Sequence, residues 1–222
     1  MEELKDTLEG YAGVVSISEE NPTLKVEEGY FELPYSQTED SVMNAEFHAR
    51  FIKKCETMVR SHEDYKHYIG YLKNEVGLTY CQVLSNIDDE MADIEMHHGP
   101  VLNLFDICGI ILRDQLIRFG HANTFTVVDQ VLEDHYENII QVIMLSTTIH
   151  QILHAKGKFI NMKHAFGDIG KFLDKYEYVL EDYQKEIIYK YIESSLATDT
   201  QFIDVLSLGD GLANWSKMNY LY

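Results

Sequence analysis

Ten histidines occur in this 222-residue chain, and four of them fall into two tight groups: the adjacent pair His97-His98, and His150 with His154 some fifty residues later. Residues at i and i+4 share one face of a helix, so His150 and His154 can turn their imidazoles toward one ion, as paired helical histidines do in zinc enzymes. His97 supplies a third ligand in this reading. His98, adjacent but directed elsewhere, is then a candidate general base whose ordinary pKa lies near neutrality. Three protein ligands leave the ion an open position.

The elements that must position these residues are read from periodicity. Phe47, Phe51, Ile52, Cys55, Met58 and Val59 recur at three- and four-residue steps, which predicts a helix from about Ser41 to Arg60. Ser61-His62-Glu63-Asp64 has the form of a capping box for a second helix through Tyr65, Tyr68, Ile69 and Leu72, closed near Gly77. Thr79–Leu84 and Ala92–His97 read as the two strands of a β-hairpin that exits at His97-His98-Gly99-Pro100. Pro100 suits the first turn of a third helix running to Gly120. A fourth helix is expected over about Thr126–Tyr136.

Gln141–Leu145 reads as a short buried strand, and Ser146 as the N-cap of the helix that carries the second histidine pair and closes at Gly157. A long amphipathic helix is expected on Phe172, Leu173, Tyr176, Val179, Leu180, Tyr183, Ile187, Ile188 and Tyr191. Beyond Ser194 the chain reads as a polar tail containing Trp215. The fold class expected is α+β, mostly helical. Its parts are an acidic N-terminal arm (1–40), a helical segment (41–78), a metal-binding core (79–157) with a helical insertion (101–136), and a C-terminal helical region (158–222).

Composition limits the function classes. The formal net charge is −19, of which residues 1–40, with 11 acidic and 2 basic residues, hold −9. Such a surface repels a phosphate backbone and favours a protein partner. Cys55, Cys81 and Cys108 stand far apart, so neither a disulfide framework nor a zinc knuckle is encoded. No apolar run is long enough for a membrane span, and the opening residues lack the order of a signal peptide, so the expected address is cytoplasmic, in the host cell if the chain is phage-encoded. P-loop, Rossmann and Gly-x-Ser-x-Gly patterns are absent.

Ile94-Glu95-Met96-His97-His98-Gly99-Pro100 resembles the strand-ending "I-E-x-H-H-x-x-P" segment of the HNH nucleases, with the proline one residue early. Leu145-Ser146-Thr147-Thr148-Ile149-His150-Gln151-Ile152-Leu153-His154-Ala155-Lys156-Gly157 is similar to that family's "L-C-x-x-C-H-x-x-I-H-A-G" segment, with serine and isoleucine in place of the zinc-knuckle cysteines and one residue inserted before the glycine. The resemblance spans residues 79–157 and is closest to the nuclease-colicin type of site. It implies a ββα-metal core in which His97, His150 and His154 bind one divalent ion (Zn, Mg, Mn or Ni), His98 activates water, and Glu95 orients the site. For the family's central asparagine two positions compete. Asn138 has the matching type seven residues before Leu145, whereas Gln141 has the usual spacing with the wrong type, and Asn138 is preferred on chemistry.

The whole chain also resembles proteins of large tailed bacteriophages. Two functions are therefore expected from the sequence: a metal-dependent endonuclease acting on DNA, with Lys156, Lys158 and Lys163 nearest the phosphate, or a non-catalytic phage structural or protein-binding protein on an HNH-like fold. His121 reads as a helix-end residue, and His135, His48, His62, His67 and His164 as structural or surface positions.

Overall fold

The computed structural model describes residues 15–17, 24–26, 36–38, 45–156, 158–197 and 202–204, with side chains described for 48–154 and 159–197. Seven α-helices lie among these residues with short antiparallel strand pairs, an α+β and mostly helical architecture. In chain order they are β1 (Val15–Ile17), β2 (Leu24–Val26), β3 (Ser36–Thr38), α1 (Ala45–Ser61), α2 (Glu63–Asn74), β4 (Ile94–His98), α3 (Leu104–Phe119) and β5 (His121–Asn123). There follow α4 (Thr124–Tyr136), β6 (Val142–Ser146), α5 (Thr147–Lys156), β7 (Lys158–Ile160), α6 (Ile169–Tyr176), α7 (Asp182–Ala197) and β8 (Phe202–Asp204). β1 pairs with β2, β3 with β5, and β7 with β8.

Helix α1 buries Phe51, Ile52, Cys55 and Val59, the stripe its spacing predicts. With α3 and α4 it forms the main helical layer. Ser61 is the last residue of α1 rather than the cap of α2: its hydroxyl turns back to the Met58 carbonyl (3.0 Å), and His62 Nδ1 accepts the Asp64 N–H at 3.2 Å instead. Helix α3 likewise starts later than Pro100 suggests. Asn103 caps it, accepting from the Asp106 N–H (2.9 Å) while the Asp106 carboxylate accepts the Asn103 N–H (3.4 Å), which satisfies two otherwise orphaned donors. Gly120, at φ 74°, ends it in the left-handed conformation that glycine adopts without strain.

The strand pairing departs from the expected hairpin. Thr79–Leu84 forms no strand, and β4 instead pairs antiparallel with β6, in the register Glu95↔Leu145, Met96↔Met144, His97↔Ile143. The reason lies in β6, which is buried along its whole length and so must have both edges satisfied. β4 takes one edge. On the other, the Gln82 N–H donates to the Met144 carbonyl (2.8 Å) and Gln82 Oε1 accepts the Met144 N–H (2.6 Å). Phe166 exchanges two backbone bonds with Val142, each 2.8 Å. Gly167 makes this approach possible, because at φ 105° a Cβ there would sit 2.3 Å from the Ile140 carbonyl oxygen.

The long helix expected over 172–191 is two helices. A 3-10 turn at Glu177–Val179 and an extended Leu180 separate α6 from α7, and Val179 and Leu180 both enter the core there. Polar contacts hold the break in place: the Tyr178 hydroxyl reaches the buried Asp114 carboxylate, and Arg113 pairs with Glu181 and Gln184. On α6, Lys175 Nζ (2.6 Å) and the Tyr176 hydroxyl (2.5 Å) donate to the fully buried Asp134 of α4, which also accepts from Gln130 (3.0 Å). Among the described residues no helix is long and apolar enough to cross a membrane.

Candidate metal centre

Successive side chains of a strand point to opposite faces, and β4 follows this rule: Ile94, Met96 and His98 are buried on the core side, while Glu95 and His97 face α5. Helix α5 leaves β6 with no intervening loop. Its Thr147 N–H and hydroxyl both bond the Asp93 carbonyl (3.0 and 3.2 Å), which fixes the helix beside the start of β4. Ile149 and Leu153 anchor it in the core. His150 and His154, one turn apart, are thereby carried over His97.

The three imidazoles form one cluster. Ring centroids are 4.9 Å apart for His97 and His150, 5.3 Å for His97 and His154, and 4.7 Å for His150 and His154. One nitrogen from each can be chosen so that all lie within 4.8 Å of one another. Tetrahedral zinc with bonds of about 2.0–2.1 Å needs ligand nitrogens about 3.3 Å apart. His150 Nε2 and His154 Nε2, at 2.9 Å, are already inside that span, and the His97 nitrogen lies within 4.8 Å of both.

Glu95 sets the tautomer. Its Oε2 lies 2.7 Å from His150 Nδ1, and a carboxylate only accepts, so that nitrogen carries the hydrogen and Nε2 keeps its lone pair for the cluster. A carboxylate behind a ligating imidazole is the usual way such a ring is oriented and made more basic. Two of the imidazoles, those of His97 and His154, are also biased toward the neutral form, which is the one that binds metal. Burial, the neighbouring His150 and His154, and the Arg60 guanidinium push His97 down to about 3. Burial, His150 and Arg60 lower His154.

His98 does not join this group. It is 4 % exposed on the opposite face of β4, where its Nε2 lies 2.9 Å from His135 Nε2. His135 Nδ1 donates to the Val131 carbonyl (2.6 Å), so its Nε2 must accept and His98 Nε2 must donate. Tyr65 stacks on His98 with centroids 5.9 Å apart, and Tyr65 and Tyr68 meet His135 edge-on. Burial drives His98 well below its ordinary pKa and His135 down to about 4. The structure thus places His98, the expected base, away from the three-histidine cluster. A residue next to a ligand on a strand faces away from it, and this one is sealed in the core.

The two central-residue candidates separate as well. Asn138, at φ 56°, ends α4, with its N–H on the His135 carbonyl (3.0 Å) and its own carbonyl accepting from Asp168 (2.9 Å). The backbone tie to the loop leaving β4 is made by Gln141, whose carbonyl accepts the Gly99 N–H at 3.2 Å. This bond uses the Gln141 backbone, while Asn138 makes its backbone contacts at the end of α4 and to Asp168. Lys163 lies in a 3-10 turn at Met162–His164, while the side chains of Lys156 and Lys158, with Gly157, lie outside the described residues.

Two participants escaped the sequence. His135 is the hydrogen-bond partner of His98, a contact between α4 and β4 that no spacing encodes. Arg60, in the last turn of α1, places positive potential on His97, His98 and His154 while bonded to Glu56 (3.1 and 3.2 Å). It lies 37 residues before His97, and only the packing of α1 brings it near.

In chain order β4, β6 and α5 thus form a strand-strand-helix unit that gathers three histidines, with His98 on the opposite face of β4. Neither a curated protein nor a solved structure matches the chain significantly. The family model described as "Bacteriophage G278-like virion protein" matches residues 8–206, nearly the full length. The chain belongs to the bacteriophage G278-like virion protein family.

Proposed function

We propose that this protein is a non-catalytic component of the phage particle, and that His97, His150 and His154 hold one transition-metal ion that fastens α5 to β4. The observation carrying the metal site is the convergence of the three imidazoles with Glu95 bonded behind His150. An all-nitrogen donor set favours zinc or nickel over magnesium and manganese, which prefer oxygen ligands. When bound, such an ion supplies a cross-link between two elements already joined by the Glu95–His150 bond, the Thr147 bonds to the Asp93 carbonyl and the burial of Ile149 and Leu153. Family membership and the sealing of His98 in the core both support a structural rather than a hydrolytic use.

Elemental analysis of the purified protein, with zinc titrated against a chromophoric chelator, tests this. One zinc per chain is expected, with binding lost in His150→Ala and in His154→Ala, and a thermal midpoint that rises on loading. Wild-type protein that takes up no zinc, or variants that bind as tightly as wild type, would refute it.

The β4-β6-α5 order favours one second reading, a metal-dependent phosphodiesterase whose base is a residue other than His98. In that case the ion would polarise a phosphoryl oxygen. Nicking of supercoiled plasmid by the zinc-, nickel-, manganese- or magnesium-loaded protein, abolished in His150→Ala, would favour it. Intact plasmid with every metal leaves the structural reading.

A further inference from the structure

Nitrogen-bound zinc takes four ligands, and structural sites draw all four from protein. Among the described residues the donor group stops at three, since Glu95 is spent on the far nitrogen of His150. The group opens outward on one side: His154 is exposed, and the Glu95 side chain is 47 % exposed. His98, on the opposite face of β4, is not placed to turn a bound water into a nucleophile. The fourth position therefore calls for a donor from outside this set.

Charge identifies what can supply it. Three neutral imidazoles, a divalent ion and the Glu95 carboxylate sum to a local charge of about +1 at ordinary pH, a cationic point on a molecule whose formal net charge is −19. Any second copy brings an acidic surface drawn from 37 Asp and Glu residues, whose exposed carboxylates are potential zinc ligands. Without the ion two such copies repel each other. With it, the same acidic surface becomes the complementary one.

Resting on the metal-site reading above, we infer that the site is completed by a carboxylate or imidazole of a second copy of this chain, so that zinc joins copies to one another. Association is then cation-dependent and routed through His97, His150 and His154. In a particle component this makes a contact that forms only when metal and neighbour are both present.

The test is the mass of the full-length chain by light scattering after size exclusion, in EDTA and after loading with one equivalent of zinc. The expected result is 25.8 kDa in EDTA, at least a twofold rise with zinc, reversal by EDTA, and no rise with magnesium at equal ionic strength. His154→Ala, an exposed helical position where alanine is tolerated, should stay at the single-chain mass with an unchanged far-UV spectrum. One zinc bound per chain with no rise in mass would overturn this inference alone. So would zinc-driven association that persists in His154→Ala and His150→Ala, since it would report scattered surface carboxylates. A wild-type chain that binds no zinc overturns the metal-site reading and this inference together.

Discussion

Replacing Glu95 by glutamine changes one atom of the cluster and almost nothing else. The carboxylate sits 2.7 Å from His150 Nδ1, and among the described residues this is its one charge-dependent side-chain contact. A glutamine keeps the shape and can still offer a carbonyl oxygen to the Nδ1 hydrogen, but it removes the negative charge that favours a cation on the other side of the ring. Loss of such a supporting carboxylate typically weakens metal binding 10–100-fold, about 1.4–2.8 kcal/mol. Here the side chains of Glu95 and His150 are 47 % and 24 % exposed, so water screens the pair and the effect belongs at the lower end. Zinc affinity measured against a chromophoric chelator should therefore fall about tenfold in Glu95→Gln, with little change in apo stability. If Glu95→Gln binds zinc as tightly as wild type while His154→Ala does not bind, Glu95 is a surface ion-pair partner and the tautomer argument fails.

Three further outcomes follow from the packing. His98→Ala should leave zinc affinity unchanged but lower stability by about 2–4 kcal/mol, because it opens a cavity and strands the His135 acceptor; urea denaturation and zinc titration of the same sample check both halves. His135 is held neutral, down to about 4 against an ordinary 6.5, so only the unfolded chain takes up its proton as the pH falls. Stability is complete above about pH 6.5, and this group alone removes about 2 kcal/mol by pH 5 and about 3 kcal/mol by pH 4; urea midpoints in EDTA should show a shallower acid loss in His135→Phe than in wild type. Lys175→Met leaves the Asp134 carboxylate, 0 % exposed, with Tyr176 and Gln130 as its remaining donors among the described residues, and should cost about 3 kcal/mol, read as a drop in thermal midpoint of roughly 6–12 °C.

The parts of the site visible in the sequence are those that local geometry settles. The i, i+4 spacing of His150 and His154 puts both on one helix face wherever α5 docks, and the Ile149 and Leu153 positions say which face is buried. The alternation of β4 already contains the separation of His97 from His98, once the segment is known to be a strand: adjacent residues cannot share a face. Even the carboxylate is placed by this rule, since Glu95 and His97 lie two apart. Six helices and their approximate limits follow the apolar stripes in the same way, the last of them being split into α6 and α7.

Tertiary structure decided what depends on distant partners. Thr79–Leu84 has strand-like composition, yet β6 is the segment buried on both faces, and the need to satisfy its edges drew in β4 from 48 residues away and Gln82 from 62. The pairing that aims His97 at α5 is thus a consequence of burial, not of the nearest turn. The sealing of His98 against His135, the approach of Arg60, the Gln141 tie to Gly99 and the turn at Glu177–Val179 are likewise contacts between elements, which periodicity along one segment does not carry. Residue types and spacing determined that three histidines could meet; hydrogen-bond satisfaction and core packing decided that the fourth would not.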